Sequence, residues 1–207
     1  CLGDVRSYDS VHRAVEGIET VFHLAALIAI PYSYQTPSSY VDTNVQGSLN
    51  VMQACLNHKV KRLVHTSTSE VYGTAQTVPI NENHPLQGQS PYSASKIGAD
   101  MMAMSFNRSF DLPVSILRPF NTYGPRHTYD VIPKFIRLAL EGKPLTIYGD
   151  GLQTRDFTYI EDMVEAFLVM GSHPKAAGRS INFGTGVDVS IKRTAKWIKK
   201  LAGSNSP

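Results

Sequence analysis

A hydroxyl and a carboxylate stand close together in the run Thr66-Ser67-Thr68-Ser69-Glu70-Val71-Tyr72-Gly73, and Tyr92-Ser93-Ala94-Ser95-Lys96 follows it. Tyr92 and Lys96 are four residues apart, so on a helix they share one face. A free tyrosine hydroxyl titrates near pH ~10, too high for useful proton transfer near neutrality. A neighbouring ammonium favours the phenolate and lowers that value, which makes Tyr92 a usable general base toward an alcohol. Thr68 can hydrogen-bond the same alcohol, and Glu70 can take a proton from carbon beside a carbonyl. The set suits a site that oxidises an alcohol by hydride transfer and removes a C–H proton. Each piece also has a plainer reading: a Tyr and a Lys exposed on a helix, and a Ser/Thr-rich turn with Glu70 in water.

These residues need elements to hold them. Thr20-Val21-Phe22-His23-Leu24 is a short apolar run that predicts a strand covered on both faces. The Pro-, Ser- and Tyr-rich stretch Ile30 to Tyr40 reads as a loop. From Thr43 onward Val45, Leu49, Met52 and Leu56 recur at helical spacing. Lys61 to Ser67 reads as a strand with Thr68 to Glu70 at its carboxyl end, where open α/β sheets bind ligands. Ser90 to Phe110 reads as the helix carrying Tyr92 and Lys96, and Val114 to Arg118 as the next strand. Alternating strands and helices predict right-handed crossovers and a parallel sheet. Beyond Gly124-Pro125, Val131 to Glu141 looks helical. Leu145 to Tyr148 and Arg155 to Tyr159 look like strands around Gly149-Asp150-Gly151. Asp162 reads as a helix N-cap, and Ser180 to Phe183 as a further strand.

At 207 residues, with enough apolar material for a packed core, the chain suits one domain, or one plus a small lobe. The charge of +3, from 20 basic and 17 acidic residues, is too even to point to nucleic acid or a membrane surface. Only Cys1 and Cys55 are present, which excludes a disulfide framework and predicts a reducing, cytoplasmic location. The longest apolar stretch, Val21 to Ile30, contains His23 and stops at Pro31, too short to span a bilayer. No Cys/His group has metal-ligand spacing, and His23 reads as a packed residue.

The order Asp4-Val5, His23-Leu24-Ala25-Ala26, Asn44-x-x-Gly47, Ser67 to Gly73, Tyr92-x-x-x-Lys96, Arg118-Pro119-Phe120-Asn121-x-Tyr123-Gly124-Pro125-Arg126 and Gly149-Asp150-Gly151-x-Gln153-x-Arg155-Asp156-Phe157 resembles the extended short-chain dehydrogenase/reductase family. More narrowly it is similar to nucleotide-sugar epimerases and dehydratases. The resemblance implies an α/β fold: a Rossmann-like doubly wound parallel sheet with part of a small substrate lobe. Residues 1–123 would form a partial dinucleotide domain, and 124–207 a mixed segment in which the lobe is interleaved with the last sheet strands.

It also implies roles. Thr68, Ser69, Glu70, Tyr92 and Lys96 would be catalytic. Asp4 and Val5 would meet the adenine of NAD, and Ala25 and Ala26 its ribose and diphosphate, with Tyr92, Lys96 and Pro119 completing that contact. Asn121, Arg126 and Arg155 would hold a nucleotide sugar, Arg155 as a charge-assisted diphosphate ligand. Asn44 would brace backbone near the site. The full-length enzyme would be a homodimer through helices matching Thr43–Lys59 and Ser90–Phe110.

Simple 4-epimerases of this family need only the hydroxyl, Tyr and Lys. The 4,6-dehydratases add a carboxylate where Glu70 stands, and the text around Ala26 to Tyr34 and Tyr92 to Asp100 resembles dehydratases acting on N-acetylglucosamine nucleotides. In that reaction C4 is oxidised with NAD, Glu70 removes the C5 proton, water leaves from C6 and hydride returns there. Thr68-Ser69-Glu70 also resembles GDP-mannose dehydratases and UDP-glucuronate decarboxylases, so epimerase and decarboxylase readings, and UDP or GDP as the base, stay open. So does a catalytically inactive module that binds a sugar nucleotide. The family's Gly-x-x-Gly-x-x-Gly turn is absent from these residues. That implies an internal portion of a longer enzyme, binding NAD poorly alone, with Leu2 to Val5 as the family's third strand.

Overall fold

The computed structural model describes residues 2–207. In chain order it holds α1 (Tyr8–Val15), β1 (Thr20–His23), α2 (Ile30–Ser33), α3 (Pro37–Tyr40), a π-helical turn Val41–Gln46 and α4 (Gly47–Asn57). Next come β2 (Arg62–Thr66), a 3-10 turn Ser69–Tyr72, α5 (Pro91–Phe110), β3 (Val114–Pro119), β4 (Asn121–Tyr123) and α6 (Val131–Leu140). Then follow β5 (Thr154–Tyr159), α7 (Ile160–Ser172), β6 (Ser180–Phe183), β7 (Asp188–Ser190) and α8 (Ile191–Leu201). The residues group into two compact units. One runs to Pro119 and takes in Val164–Phe183; the other holds Phe120–Met163 and Gly184–Pro207.

The first unit is a four-stranded sheet in the order β1-β2-β3-β6, every pair parallel. Side chains alternate across a strand, and both faces are used. Val21, Leu63, Val114 and Ile116 join α1, α4 and α5 in one core, with Val51, Met52, Cys55, Ala103 and Phe106. On the opposite face Phe22 meets Phe167 of α7 edge-on at 6.5 Å. This is a doubly wound α/β arrangement, as the alternating elements predict. The face toward α4 and α5 changes character along each strand. Its apolar positions Val21, Leu63 and Ile116 give way, two residues on, to the buried polar groups His23, His65 and Arg118 at the carboxyl end.

Helix α5 fixes where Tyr92 and Lys96 stand, and its start is written locally. Ser90 caps it, accepting from Ser93 N at 3.0 Å while Ser93 Oγ accepts from Ser90 N at 2.9 Å. Such a box stabilises a helix by about 1 kcal/mol. Pro91 occupies the first turn, where a missing N–H costs nothing. The helix ends at Asp111, in the left-handed region at φ 54°.

In the second unit β4 pairs parallel to β5, and β5 antiparallel to β7. Phe135 of α6 packs with Ile191 and Ala195 of α8 as its core. Within residues 124–207, Val164–Phe183 belongs to the first unit and the remainder to the second.

Several expected elements differ. Ile30 to Tyr40 is not a plain loop: Pro31 and Pro37 sit in the first turns of α2 and α3 and start them. Of the apolar stripe only Met52 is fully buried, with Val45, Leu49 and Leu56 half-buried, while Asn44 in the π-helical turn and Ser48, Val51 and Cys55 in α4 are buried too. Leu145 to Tyr148 joins no ladder. Its backbone groups are used elsewhere, Leu145 N donating to Pro207 O at 3.0 Å and Tyr148 O accepting from Gln153 Nε2 at 3.0 Å. Asp162 is not a cap but lies inside the first turn of α7, where its charge suits the helix dipole. Leu2 to Val5 is not a strand, and none of the four residues belongs to either sheet.

Candidate active site

Three elements of the first unit build the site: the end of β2, the turn after it and the first turns of α5. Lys96 is buried, and its ammonium donates to the backbone oxygen of Thr66, the last residue of β2, at 2.5 Å. Burial pulls the Lys96 pKa down to about 8, with the Asp100 carboxylate opposing the fall. Tyr92, one turn earlier on the same face, is 7% exposed and packs its ring edge-on against Tyr40 of α3, 6.3 Å between centroids.

Thr68 opens the turn Ser69–Tyr72 with extended backbone, and its Oγ1 accepts from Glu70 N at 3.2 Å. Thr68 is buried, whereas Ser69 and Glu70 are half-exposed. The turn packs on α5, so hydroxyl, carboxylate, phenol and ammonium come from adjoining pieces of backbone. Gly73 ends the turn at φ 65°, and a Cβ there would lie 2.8 Å from Gln87 O. Only glycine fits that close approach in the left-handed region.

Asn44 braces the segment after β1. Its Oδ1 accepts from Leu27 N at 2.8 Å, and its Nδ2 donates to Leu27 O and to Ser95 Oγ, each at 2.9 Å. Ala25 is exposed and Ala26 half-buried just past the end of β1, so a ligand can approach their backbone. Asp4 lies apart from them, at an open depression of about 440 Å³ shared with Arg6, Ser7, Asp42 and Gln46. The Arg6 side chain grips both Asp4 oxygens, at 2.6 Å for Nη2, and these bonds hold the carboxyl down at about 2. Val5 and Pro119 are half-buried. The chemistry of these groups is compatible with an adenine dinucleotide: a carboxylate, small residues beside open backbone, and an ammonium and a phenol on one helix face.

Asn121, Arg126 and Arg155 all belong to the second unit. Asn121 begins β4 and is half-buried; Arg126 and Arg155 are exposed. Arg126 adopts φ 70°, and Arg155 Nη1 donates to the neighbouring Thr154 O at 2.8 Å.

The sequence reading left out a buried polar layer bonded to both ends of the turn that follows β2. Asp100 Oδ2 accepts from Ser67 Oγ at 2.8 Å and from Arg118 Nε and Nη2 at 3.1 and 3.0 Å. His65 Nε2 lies 3.4 Å from Asp100 Oδ1, too long for a strong bond. Burial alone would raise the Asp100 carboxyl; His65, the Arg118 guanidinium and the Ser67 hydroxyl outweigh it and hold it below its ordinary value. Burial keeps His65 and His23 below theirs, and His23 Nε2 pairs with Ser48 Oγ at 2.9 Å. Two signals point to this layer: Asp100 continues the Tyr92–Lys96 spacing by four, and Arg118 and His65 interrupt strands otherwise covered on both faces. A charge in such a place demands a partner.

The profile of the NAD dependent epimerase/dehydratase family matches residues 1–184. The chain is 38% identical over 206 residues to the trifunctional UDP-glucose 4,6-dehydratase/UDP-4-keto-6-deoxy-D-glucose 3,5-epimerase/UDP-4-keto-L-rhamnose-reductase of Arabidopsis thaliana, covering 96% of this chain and 31% of that protein. Among solved structures it is similar to the dTDP-glucose 4,6-dehydratase DesIV of Streptomyces venezuelae, crystallised with NAD, at 33% identity and a TM-score of 0.90, covering 98% of this chain and 63% of that one. It is also similar to the UDP-N-acetylglucosamine 4-epimerase of Methanobrevibacter ruminantium M1, at 33% identity and a TM-score of 0.93, covering 99% and 66%. The chain therefore spans less than two thirds of the length of the first two of these relatives.

Proposed function

The chain belongs to the NAD dependent epimerase/dehydratase family, and from that premise we propose that it carries the catalytic part of an NAD-dependent nucleotide-sugar 4,6-dehydratase. The observation that carries this reading is Glu70, a half-exposed carboxylate two residues beyond the buried hydroxyl of Thr68, on a turn packed against the helix of Tyr92 and Lys96. An epimerase has no use for a second base there.

Asp4, Val5, Ala25, Ala26, Tyr92, Lys96 and Pro119 would hold NAD, which when bound would supply a hydride acceptor and later a donor. Thr68 and Tyr92 hold the C4 hydroxyl, and Tyr92 takes its proton. The Lys96 charge stabilises the phenolate that this requires. With a carbonyl at C4 the C5 hydrogen becomes acidic, and Glu70 removes it. Ser69, beside Glu70, assists departure of the C6 hydroxyl as water. Asn121, Arg126 and Arg155 hold the nucleotide and its diphosphate. The favoured substrate is an N-acetylglucosamine nucleotide. In the same reading the intact enzyme is a cytoplasmic homodimer that uses α4 and α5, the latter carrying exposed Met101 and Phe110.

The test is product analysis by NMR of the full-length protein with NAD and UDP-, GDP- or dTDP-linked hexoses. A 4-keto-6-deoxy sugar is expected. Glu70→Gln should lower its formation at least about 100-fold while C4 oxidation persists. A C4 epimer, or CO₂ from a uronate nucleotide, in place of that product refutes the assignment.

A further inference from the structure

The turn that carries Thr68 and Glu70 does not hold itself. Its internal hydrogen bonds are long: 3.2 Å from Glu70 N to Thr68 Oγ1, 3.4 Å from Val71 N to Thr68 O and 3.3 Å from Gly73 N to Glu70 O. The bonds that tie it to the interior are shorter: two are backbone bonds, Ser67 N to Leu117 O at 2.7 Å and Gln87 N to Val71 O at 2.8 Å, and the rest come from side chains. At the front, Ser67 Oγ donates to Asp100 Oδ2 at 2.8 Å. At the back, Tyr72 OH accepts from Arg118 Nη1 at 2.8 Å and donates to Asn182 Oδ1 at 2.7 Å. The same Arg118 uses Nε and Nη2 to fork onto Asp100 Oδ2.

We infer that Asp100 is a positioning residue for the reaction: one buried carboxylate fixes both ends of the catalytic turn, through Ser67 directly and through Arg118 to Tyr72. Its other neighbour on α5 completes the device. Lys96 holds Thr66 O and Asp100 holds Ser67 Oγ, so residues one turn apart on one helix clamp the last residue of β2 and the residue that follows it, just before Thr68. The distance from Thr68 and Glu70 to Tyr92 is thereby set by a single helix face. Stability alone gives no reason for such a cluster, since well-packed apolar residues commonly serve a fold as well as a buried ion pair. A misplacement of about 1 Å, by contrast, costs a reaction on the order of 100-fold.

This inference rests on the reaction assigned above, and the experiment separates the two. The full-length protein is assayed with NAD and UDP-N-acetylglucosamine, and amide hydrogen exchange is followed in peptides covering residues 66–73. Asp100→Asn keeps shape and removes charge. It should lower kcat on the order of 100-fold with KM changed less than about threefold, and should speed exchange in 67–73 but not in α1 or α4. The titratable groups that act on Lys96 are Asp100 on its own helix, His65 from β2 and His23 from β1. With the one anion gone, the alkaline limb of kcat should move to lower pH, a shift that mere loosening does not produce.

Ser67→Ala and Tyr72→Phe release one end each. Each should cost kcat about tenfold, with faster exchange confined to its own end. If Asp100→Asn fails to fold, this pair decides, and unchanged kcat and exchange in both variants overturn the proposal. So does an Asp100→Asn protein with wild-type kcat, or one whose exchange rises equally across the whole sheet. A wild type inactive on every sugar nucleotide, whose variants still loosen only 67–73, overturns the assigned reaction and leaves the anchor standing.

Discussion

Lys96 should make the protein less stable, and replacing it should show by how much. The ammonium is buried, and its pKa of about 8 lies below the ordinary 10.5 because burial disfavours the charge. At about 1.4 kcal/mol per pKa unit the difference corresponds to about 3 kcal/mol. Below pH 8 folded and unfolded chains both carry the proton, so the folded state bears that whole cost. Between pH 8 and 10.5 the unfolded chain binds more protons than the folded one, and stability rises with pH until the cost is gone. Lys96→Met has nearly the same length and no charge. It forfeits the bond to Thr66 O, worth about 1 kcal/mol, so the variant should be about 2 kcal/mol more stable at pH 7. For a chain of this size that is a rise in Tm of about 4–8 °C. Thermal melts followed by circular dichroism, without NAD or sugar nucleotide, give the comparison, because ligands raise Tm by mass action. Repeated near pH 10 the advantage should vanish, while activity is lost at every pH. A variant less stable than wild type at pH 7, or an advantage that does not change with pH, refutes the reasoning.

Gly73→Ala places a Cβ 2.8 Å from Gln87 O at φ 65°; the strain should lower the urea-unfolding free energy by about 2 kcal/mol or more. Arg6→Gln removes the fork that holds Asp4 at about 2; a carboxyl-carbon NMR titration should then find Asp4 near the ordinary ~3.9. NAD affinity, measured by calorimetry at pH 7, should weaken as that carboxylate loses its fixed orientation.

The parallel sheet, the helix of Tyr92 and Lys96 and the strand leading to Thr68 were legible because apolar runs, a Ser-Pro helix start and helical spacing report local structure directly. What hydrophobicity left incomplete was the inward face of α4 and the turn before it, where Met52 is buried as the apolar stripe suggests but polar residues are buried as well. The stripe Val45, Leu49, Met52 and Leu56 looks like the buried one, yet Asn44 and Ser48 point inward because Leu27 and His23 satisfy them. A polar residue whose partner lies far away in sequence looks exposed when read alone. Leu145 to Tyr148 failed for a related reason: strand-like composition does not provide a neighbouring strand. That Tyr92, Lys96 and Thr68 lie on adjoining elements was legible from their spacing and strand-end position, but their support was not, since Asp100 is defined only by Ser67 and Arg118 from two other elements.

Asp100 and Glu70 make the division of labour in this chain a matter of surroundings rather than residue type. Asp100 has one oxygen saturated by a hydroxyl and a guanidinium, and no solvent reaches it. A carboxylate so held cannot swing to a substrate, nor gain and lose a proton in each turnover. Glu70 is half-exposed, on a turn whose internal bonds are long, and can do both. A base that must return its proton within each cycle belongs at such a half-exposed position, provided that the backbone on either side is fixed. In the reaction proposed above the two carboxylates therefore divide the work: Glu70 transfers the proton, and Asp100, through Ser67 and Arg118, keeps the backbone of its turn in place.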